Sequence, residues 1–343
     1  MFETLKNVFR VKEMRRKLLY LIWMIFIIRI GCQIPVPGVD SDFFKQWFSS
    51  NAGDAFNFFD AFTGGSFERM SIFALNITPY ITSSIIIQLL TIAIPALEEM
   101  QRDGEEGRKK MTAITRYVTV GLALFESIAM AIGFGRQGMI PNLDFFKGVV
   151  VVACLTAGSA MLMWLGERIT EKGVGNGISI VLTINIISRV PSDLTLLYEN
   201  FIKGKTIAKG TLAGLIIAAV ILLVVVLVLI LNGAERRIPV QYSRKIQGGS
   251  QLGGLGSTLP VKVNTANVMP IIFSSSLLQF PLVIKQLIGA DPKGAAGFIF
   301  NALNQSNWCN PDHWNWSIGL IVYLVLNVIF AYFYTSITFN PLE

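Results

Sequence analysis

Charge is scarce in this sequence. Asp, Glu, Lys and Arg make up 15% of its 343 residues, against about 25% in an ordinary soluble domain. That deficit excludes an ordinary cytosolic enzyme, a disordered regulator and a nucleic-acid-binding module of the usual kind. Histidine occurs once, at His313, so a histidine metal cluster and histidine-dependent catalysis inside apolar segments are excluded. The three cysteines, Cys32, Cys154 and Cys309, contain no CxxC pair, which leaves neither a disulfide framework nor a zinc site. Phosphate-binding loops are missing too. Gly204-Lys205-Thr206 has the right ending, but Glu199 stands where the first glycine belongs, and GVGNG at 173–177 lacks the dinucleotide spacing. No cofactor is expected, and the chain is not read as an enzyme.

Apolar residues are abundant instead: 52% of the chain, with a mean hydropathy of +0.56. They come in blocks long enough to cross a bilayer core of roughly 30 Å. Eight spans are expected, at about 18–37, 72–97, 112–135, 148–166, 174–188, 213–231, 266–288 and 317–339. Strands are excluded, because open sheet edges cannot face lipid. Residues 1–17 carry six Lys/Arg among Phe and Leu and read as an amphipathic helix on the cytoplasmic surface. The first block lacks a small-residue cleavage site and is read as a retained span. Segment 56–67 (FNFFDAFTGGSF) is apolar but too short to cross, and 98–110 reads as a charged loop. The N-terminus and the loops after spans 2, 4 and 6 hold eighteen Lys/Arg, counting Arg116, and the opposite loops ten. The positive-inside rule then puts the N-terminus in the cytoplasm.

Spans 4 and 6 read as walls facing lipid. Spans 2, 5 and 7 do not: Asn76, Thr78, Gln88, Asn176, Asn185, Asn267, Ser274, Ser275 and Gln279 interrupt them. Such residues are costly against lipid and face other helices or water. Among them, Ile77, Ile81 and Ile85 recur at helical spacing, as do Ile178 and Leu182, and Ile272 begins a similar face. An isoleucine stripe is more often core than function. Set among polar neighbours, these residues form an apolar collar that dewets and blocks ions. Arg29 and Glu126 lie deep in spans 1 and 3. Arg29 reads as a snorkelling or paired structural residue, and Glu126 as a structural or gating hydrogen-bond group, since no His or Asp accompanies it.

Several stretches are similar to one known family. They are RIGCQIPVPG at 29–38, SIFALNITPYITSSIIIQLL at 71–90, GEEGRKKMTAITRY at 104–117, MWLGERITEKGVGNGISI at 163–180, LPVKVN at 259–264 and FYTSITFNP at 333–341. They resemble the SecY family of protein-conducting channels and run nearly end to end. The resemblance implies an all-α polytopic membrane fold with two inverted halves, residues 18–190 and 191–343. Family chains have ten spans and this sequence stops after the eighth, so the second half holds three helices of five.

The resemblance also implies roles. Segment 56–67, with Phe58, Phe59, Phe62, Gly64 and Gly65, matches the plug that closes the pore. Ile77, Ile81, Ile178, Leu182 and Ile272 match the pore ring. Ile85, Gln88, Glu126, Asn264 and Ser276 fall at the lateral gate between spans 2 and 3 and spans 7 and 8. Arg236, Arg237, Arg244 and Lys245, in the loop at 232–264, match the cytoplasmic surface that docks a ribosome or the SecA motor; the basic pair farther along that loop in some relatives falls on Gly249 and Ser250. The implied partners are SecE-like and SecG-like membrane subunits, signal sequences, unfolded polypeptides and the lipid of a bacterial plasma membrane. No direct nucleic-acid specificity is expected. The rival reading is a secondary transporter, with broken helices and a midplane small-molecule site.

Overall fold

The computed structural model describes residues 11–41, 43–44, 46, 60, 62–136, 138, 140, 144–203, 207–240, 257–266, 268–288, 294–304, 307–308 and 314–338. Helices dominate. They are α1 (Lys12–Gly31), α2 (Thr78–Ala93), α3 (Pro95–Arg102), α4 (Gly104–Arg136), α5 (Phe145–Lys172), α6 (Gly177–Phe201), α7 (Ile207–Gly233), α8 (Met269–Ile288), α9 (Ala295–Leu303) and α10 (Ile318–Thr338). Every expected span thus contains a helix. Among the described residues, five helical stretches are long and apolar enough to cross a membrane: α4, α5, Gly177–Glu199 of α6, Lys209–Gly233 of α7, and Trp314–Ser336, which takes in most of α10 and the turn before it. In α1 the basic run Lys12–Lys17 joins the apolar segment in one helix that stops at Gly31, well before Pro37. Its charges, Arg29 included, set it apart from the five.

Several boundaries differ from expectation. Span 2 is not one rod over 72–97. Its first residues are turns, α2 ends at Ala93, and α3 leaves at 101°. Pro95 accounts for the break, since it favours an extended conformation at Ile94, which has φ −116° and ψ 109°. The charged 98–110 segment is helical rather than a loop: α3 carries it to Arg102, and α4 restarts at Gly104. Glu, Arg and Lys are good helix formers, and the Glu98–Arg102 pair at i, i+4 adds a little. Span 5 is not short, because α6 continues through Pro191 to Phe201.

The exclusion of strands holds for the spans but not for the loop after α7. There β1 (Glu235–Val240) pairs antiparallel with β2 (Ser257–Lys262), with Glu235 opposite Lys262 and Ile238 opposite Leu259. The lipid argument does not apply to a hydrated loop, where water satisfies the edges. In a two-stranded ribbon every strand is an edge, which lets Pro239 and Pro260 be accommodated.

The chain divides into two compact units. One comprises the described residues up to Pro191 with Phe273–Val325; the other comprises Ser192–Ile272 with the described residues from Leu326 onward. In the first, α4 packs on α5 and on α2, and α1 packs on α5. Span 4 is packed along one face, while Phe145, Phe146, Val149, Met161 and Trp164 of α5 stay exposed. Val151, Leu155, Gly158, Ser159, Leu162, Leu165, Gly166 and Ile169 of α5 are buried. Small residues make this possible: a Cβ on Gly158 would lie 2.0 Å from the Ile72 carbonyl oxygen, so only glycine lets that turn reach the helix. Hydroxyl pairs stitch the same helices, Ser83 to Thr119 at 2.5 Å and Ser127 to Thr156 at 2.8 Å.

A cluster of Val36, Phe44, Phe67, Met70, Leu75, Met130, Phe134 and Leu155 seats the connection between α1 and α2 on α4 and α5. Its Phe44, Phe67 and Phe134 rings meet edge to face, at 5.1 to 6.1 Å. In the second unit α7 is exposed along its apolar length, as a wall against acyl chains requires. Thr265 there donates a hydrogen bond to Thr335 at 3.2 Å.

Candidate functional site

Four of the five collar residues stand at the starts of α2 and α6, which are built differently. Ile77 precedes Pro at the first turn of α2, where the missing N–H costs nothing. Ahead of it, Asn76 turns the chain at φ +52°. Asparagine tolerates that left-handed region better than most residues. At the start of α6, the Asn176 side-chain oxygen accepts from the Ile178 and Ser179 N–H groups at 3.0 and 3.4 Å. That is the capping geometry which satisfies otherwise orphaned donors.

Ile77 is fully buried in a cluster with Ile28, Cys32, Phe73, Leu162, Leu165, Ile169 and Val181, and Ile81 and Ile178 pack against that cluster. The structure therefore brings three collar residues, Ile77, Ile81 and Ile178, to one apolar body. Ile77 has no free surface, whereas Ile81, Ile178 and Leu182 keep part of theirs. Ile272 is half-buried at the start of α8 and belongs to the second unit.

Beside this body lies a polar cluster that the sequence reading did not assemble. Asp60 is fully buried. Its Oδ1 accepts from the Glu68 N–H at 2.9 Å and from the Thr63 hydroxyl at 3.1 Å, which closes segment 60–68 on itself. Its Oδ2 forms an ion pair with the guanidinium of Arg189 on α6. Asn76 Nδ2 donates to the Phe62 carbonyl at 2.7 Å, and Asn185 Nδ2 donates to Asn76 Oδ1 at 3.1 Å. Arg29 donates in turn to Asn185 Oδ1 at 3.5 Å, and Ser159 to the Asn76 carbonyl at 3.2 Å. Arg29 is thus a paired structural residue.

Gly64 fits this surface through both its conformation and its size. Its φ is +68°, and a Cβ there would lie 2.8 Å from the Asn185 carbonyl oxygen and 2.9 Å from Ser188 Oγ. Of the expected plug residues, Phe62 is half-buried and Gly64 and Gly65 sit in the turn that follows; Phe58 and Phe59 lie outside the described residues. The signal that would have revealed the cluster is an acid isolated among phenylalanines and a base at the end of a span, each needing a partner.

The expected gate residues divide. Ile85 is buried on α2, Gln88 is exposed one turn later, and Glu126 and Ser276 are half-buried on α4 and α8. Glu126 makes no hydrogen bond or ion pair among the described residues. Asn264, just beyond β2, is exposed and belongs to the second unit. In the expected docking loop, Arg236 and Arg237 project from β1 and are exposed; Arg244 and Lys245 lie outside the described residues. Among the described residues no group of His, Cys, Asp and Glu is placed to hold a metal ion.

Fold and composition define a multi-pass helical membrane protein. The SecY family model matches residues 71–343. Curated relatives include the protein translocase subunit SecY of Halalkalibacterium halodurans, 40% identical over 99% of this chain and 77% of that protein. The protein translocase subunit SecY of Haemophilus influenzae is 39% identical over 96% of this chain and 73% of that one. Among solved structures, one described as a protein conducting channel aligns with a TM-score of 0.66 at 18% identity, covering 93% of this chain and 71% of that one. Sec61 in a canine ribosome-channel complex aligns with a TM-score of 0.63 at 18% identity, covering 92% and 72%. The chain belongs to the SecY family, a family of translocation channels rather than of enzymes.

Proposed function

We infer that this chain forms a protein-conducting channel of the general secretion pathway. It passes unfolded polypeptides across the membrane and releases apolar helices sideways into the bilayer. The single observation that carries this reading is the family membership. Ile77 lies in one apolar cluster against which Ile81 and Ile178 pack, and Asn76, next to Ile77, donates to the Phe62 carbonyl. A collar of branched side chains makes few specific contacts with a passing chain, so it tolerates any sequence. When empty, it dewets and holds back ions. A transporter with a small-molecule site is not favoured, because the relatives are translocase subunits.

In this reading Ile77, Ile81, Ile178, Leu182 and Ile272 form the constriction, and residues 56–67 the plug. Ile85, Gln88, Glu126, Asn264 and Ser276 border the exit through which a signal sequence meets lipid, its apolar helix shifting the gate toward open. Arg236 and Arg237, with Arg244 and Lys245, dock a ribosome or a SecA-type motor. SecE-like and SecG-like subunits accompany the channel in a bacterial plasma membrane, with the N-terminus in the cytoplasm. The test replaces Ile77, Ile81, Ile178 and Ile272 by Gly in the full-length protein. Ion leak across vesicle membranes is expected to rise, and an unchanged leak removes the collar from the account.

A further inference from the structure

The polar cluster at segment 60–67 has a feature that simple packing does not require. Segment and helix are joined by two opposite charges, and both are withdrawn from water. Asp60 is fully buried, and the Arg189 side chain is 16% exposed. The two carboxylate oxygens divide the work. Oδ1 folds the segment through Glu68 and Thr63, while Oδ2 fastens it to α6. Asn185, Ser188 and Arg189 follow at i, i+3 and i+4, so they share one face of α6. That face meets Gly64 and, through Asn76, the Phe62 carbonyl.

We propose that the Asp60–Arg189 pair, backed by the Asn76–Asn185–Arg29 chain, is the latch that holds segment 60–67 on α6 in the closed channel. The proposal rests on the plug reading above. Its physical basis is an asymmetry. A buried ion pair gains little net free energy over two hydrated ions, because desolvation offsets attraction. The latch can therefore open under a modest push once water reaches both charges. Removing one partner is different, because the other charge stays buried without this counter-charge in the closed state, and release of the segment hydrates it. Each single neutralisation should thus favour opening, and neutralising both should restore most of the seal.

The test uses the full-length protein with its membrane subunits in proteoliposomes. Variants are Asp60→Asn, Arg189→Gln, the double variant and Arg189→Lys. Asn at position 60 keeps an acceptor for Glu68 and Thr63 while removing the charge. Ion leak is the first readout. The second is the labelling rate of Phe62→Cys by a water-soluble thiol reagent, in a background without other cysteines. Each single neutralisation is expected to raise leak and labelling by about tenfold or more. The double variant should fall back to within about threefold of the parent, and Arg189→Lys should seal like it. Unchanged leak and labelling in both singles overturn the latch, as does a double variant as leaky as the product of the singles.

A deletion of residues 60–66 separates the two readings. If it leaks while Arg189→Gln does not, the latch fails and the plug stands. If the deletion does not leak, the plug reading itself fails. Where one single variant does not accumulate in the membrane, the other single is compared with the double variant: a double variant that seals better than that single supports the latch, and one that leaks as much overturns it.

Discussion

Gly158→Ala is expected to destabilise the first unit far more than its single added methyl group implies. The new Cβ would stand 2.0 Å from the Ile72 carbonyl oxygen, 2.8 Å from Ile72 Cγ2 and 2.9 Å from the Ile72 carbonyl carbon, whereas ordinary contact begins at 3.4 Å. Two of these three atoms are backbone, so no rotamer change relieves the clash. The turn at residues 72–76 must move off α5 by more than 1 Å. Overpacking of this kind costs about 1–3 kcal/mol. The same movement pulls on the Ser159–Asn76 hydrogen bond, which adds about 1 kcal/mol. Gly121→Ala on α4 is the matched control, because its Cβ would meet nothing within 4 Å. There the lower backbone entropy cost of alanine should add about 0.5–1 kcal/mol of stability. The assay is a heating scan of the full-length protein in detergent with a thiol-reactive dye, since Cys32 is buried and becomes reactive on unfolding. At one scan rate, Gly158→Ala should lower the midpoint by about 4 °C or more, and Gly121→Ala should leave it level or raise it. Equal midpoints for the two variants would refute the packing argument.

Two further outcomes are expected. Asn176→Ala removes the acceptor for two N–H groups at the start of α6 and should cost about 1 kcal/mol, read in the same scan; Asn176→Ser should recover most of it. Arg236→Glu with Arg237→Glu reverses two exposed charges on β1. It should weaken ribosome binding in a sedimentation assay by about tenfold or more at low salt, with the deficit shrinking as salt screens the contact.

The helices best read from the sequence are those whose chemistry is uniform. The unbroken apolar run of α7 needs only length to be recognised, and α10 ends within a residue or two of where it was expected. Boundaries set by competing local effects were harder. The run GEEGRKK looked like a loop because of its charge, yet its residues are good helix formers and extend α4. The burial of α5 was hidden because Gly158, Ser159 and Gly166 carry little hydropathy while permitting close approach. The hairpin lay beyond an argument framed only for lipid.

The site was legible in the same uneven way. The spacing of Ile77 and Ile81 marks one apolar stripe and that of Ile178 and Leu182 another, and Ile81 and Ile178 pack against the cluster that holds Ile77. Asn76 and Asn185 stood out as polar residues within spans, but nothing in their spacing reveals that one donates to the other. Asp60 and Arg189 are far apart in sequence, and no periodicity links them. Their pairing becomes visible only when segment 60–68 folds against α6.

In the proposed function the collar is the passage for a polypeptide. The most direct test places a photoreactive benzophenone side chain at Ile81 or Ile178 in the full-length protein. Crosslinking is then measured while a signal-bearing secretory chain is arrested midway. An adduct with the arrested chain is expected from both positions, and none from Leu222 on the exposed face of α7. Adducts formed with lipid alone at Ile81 and Ile178, while the chain is demonstrably arrested, would contradict this reading.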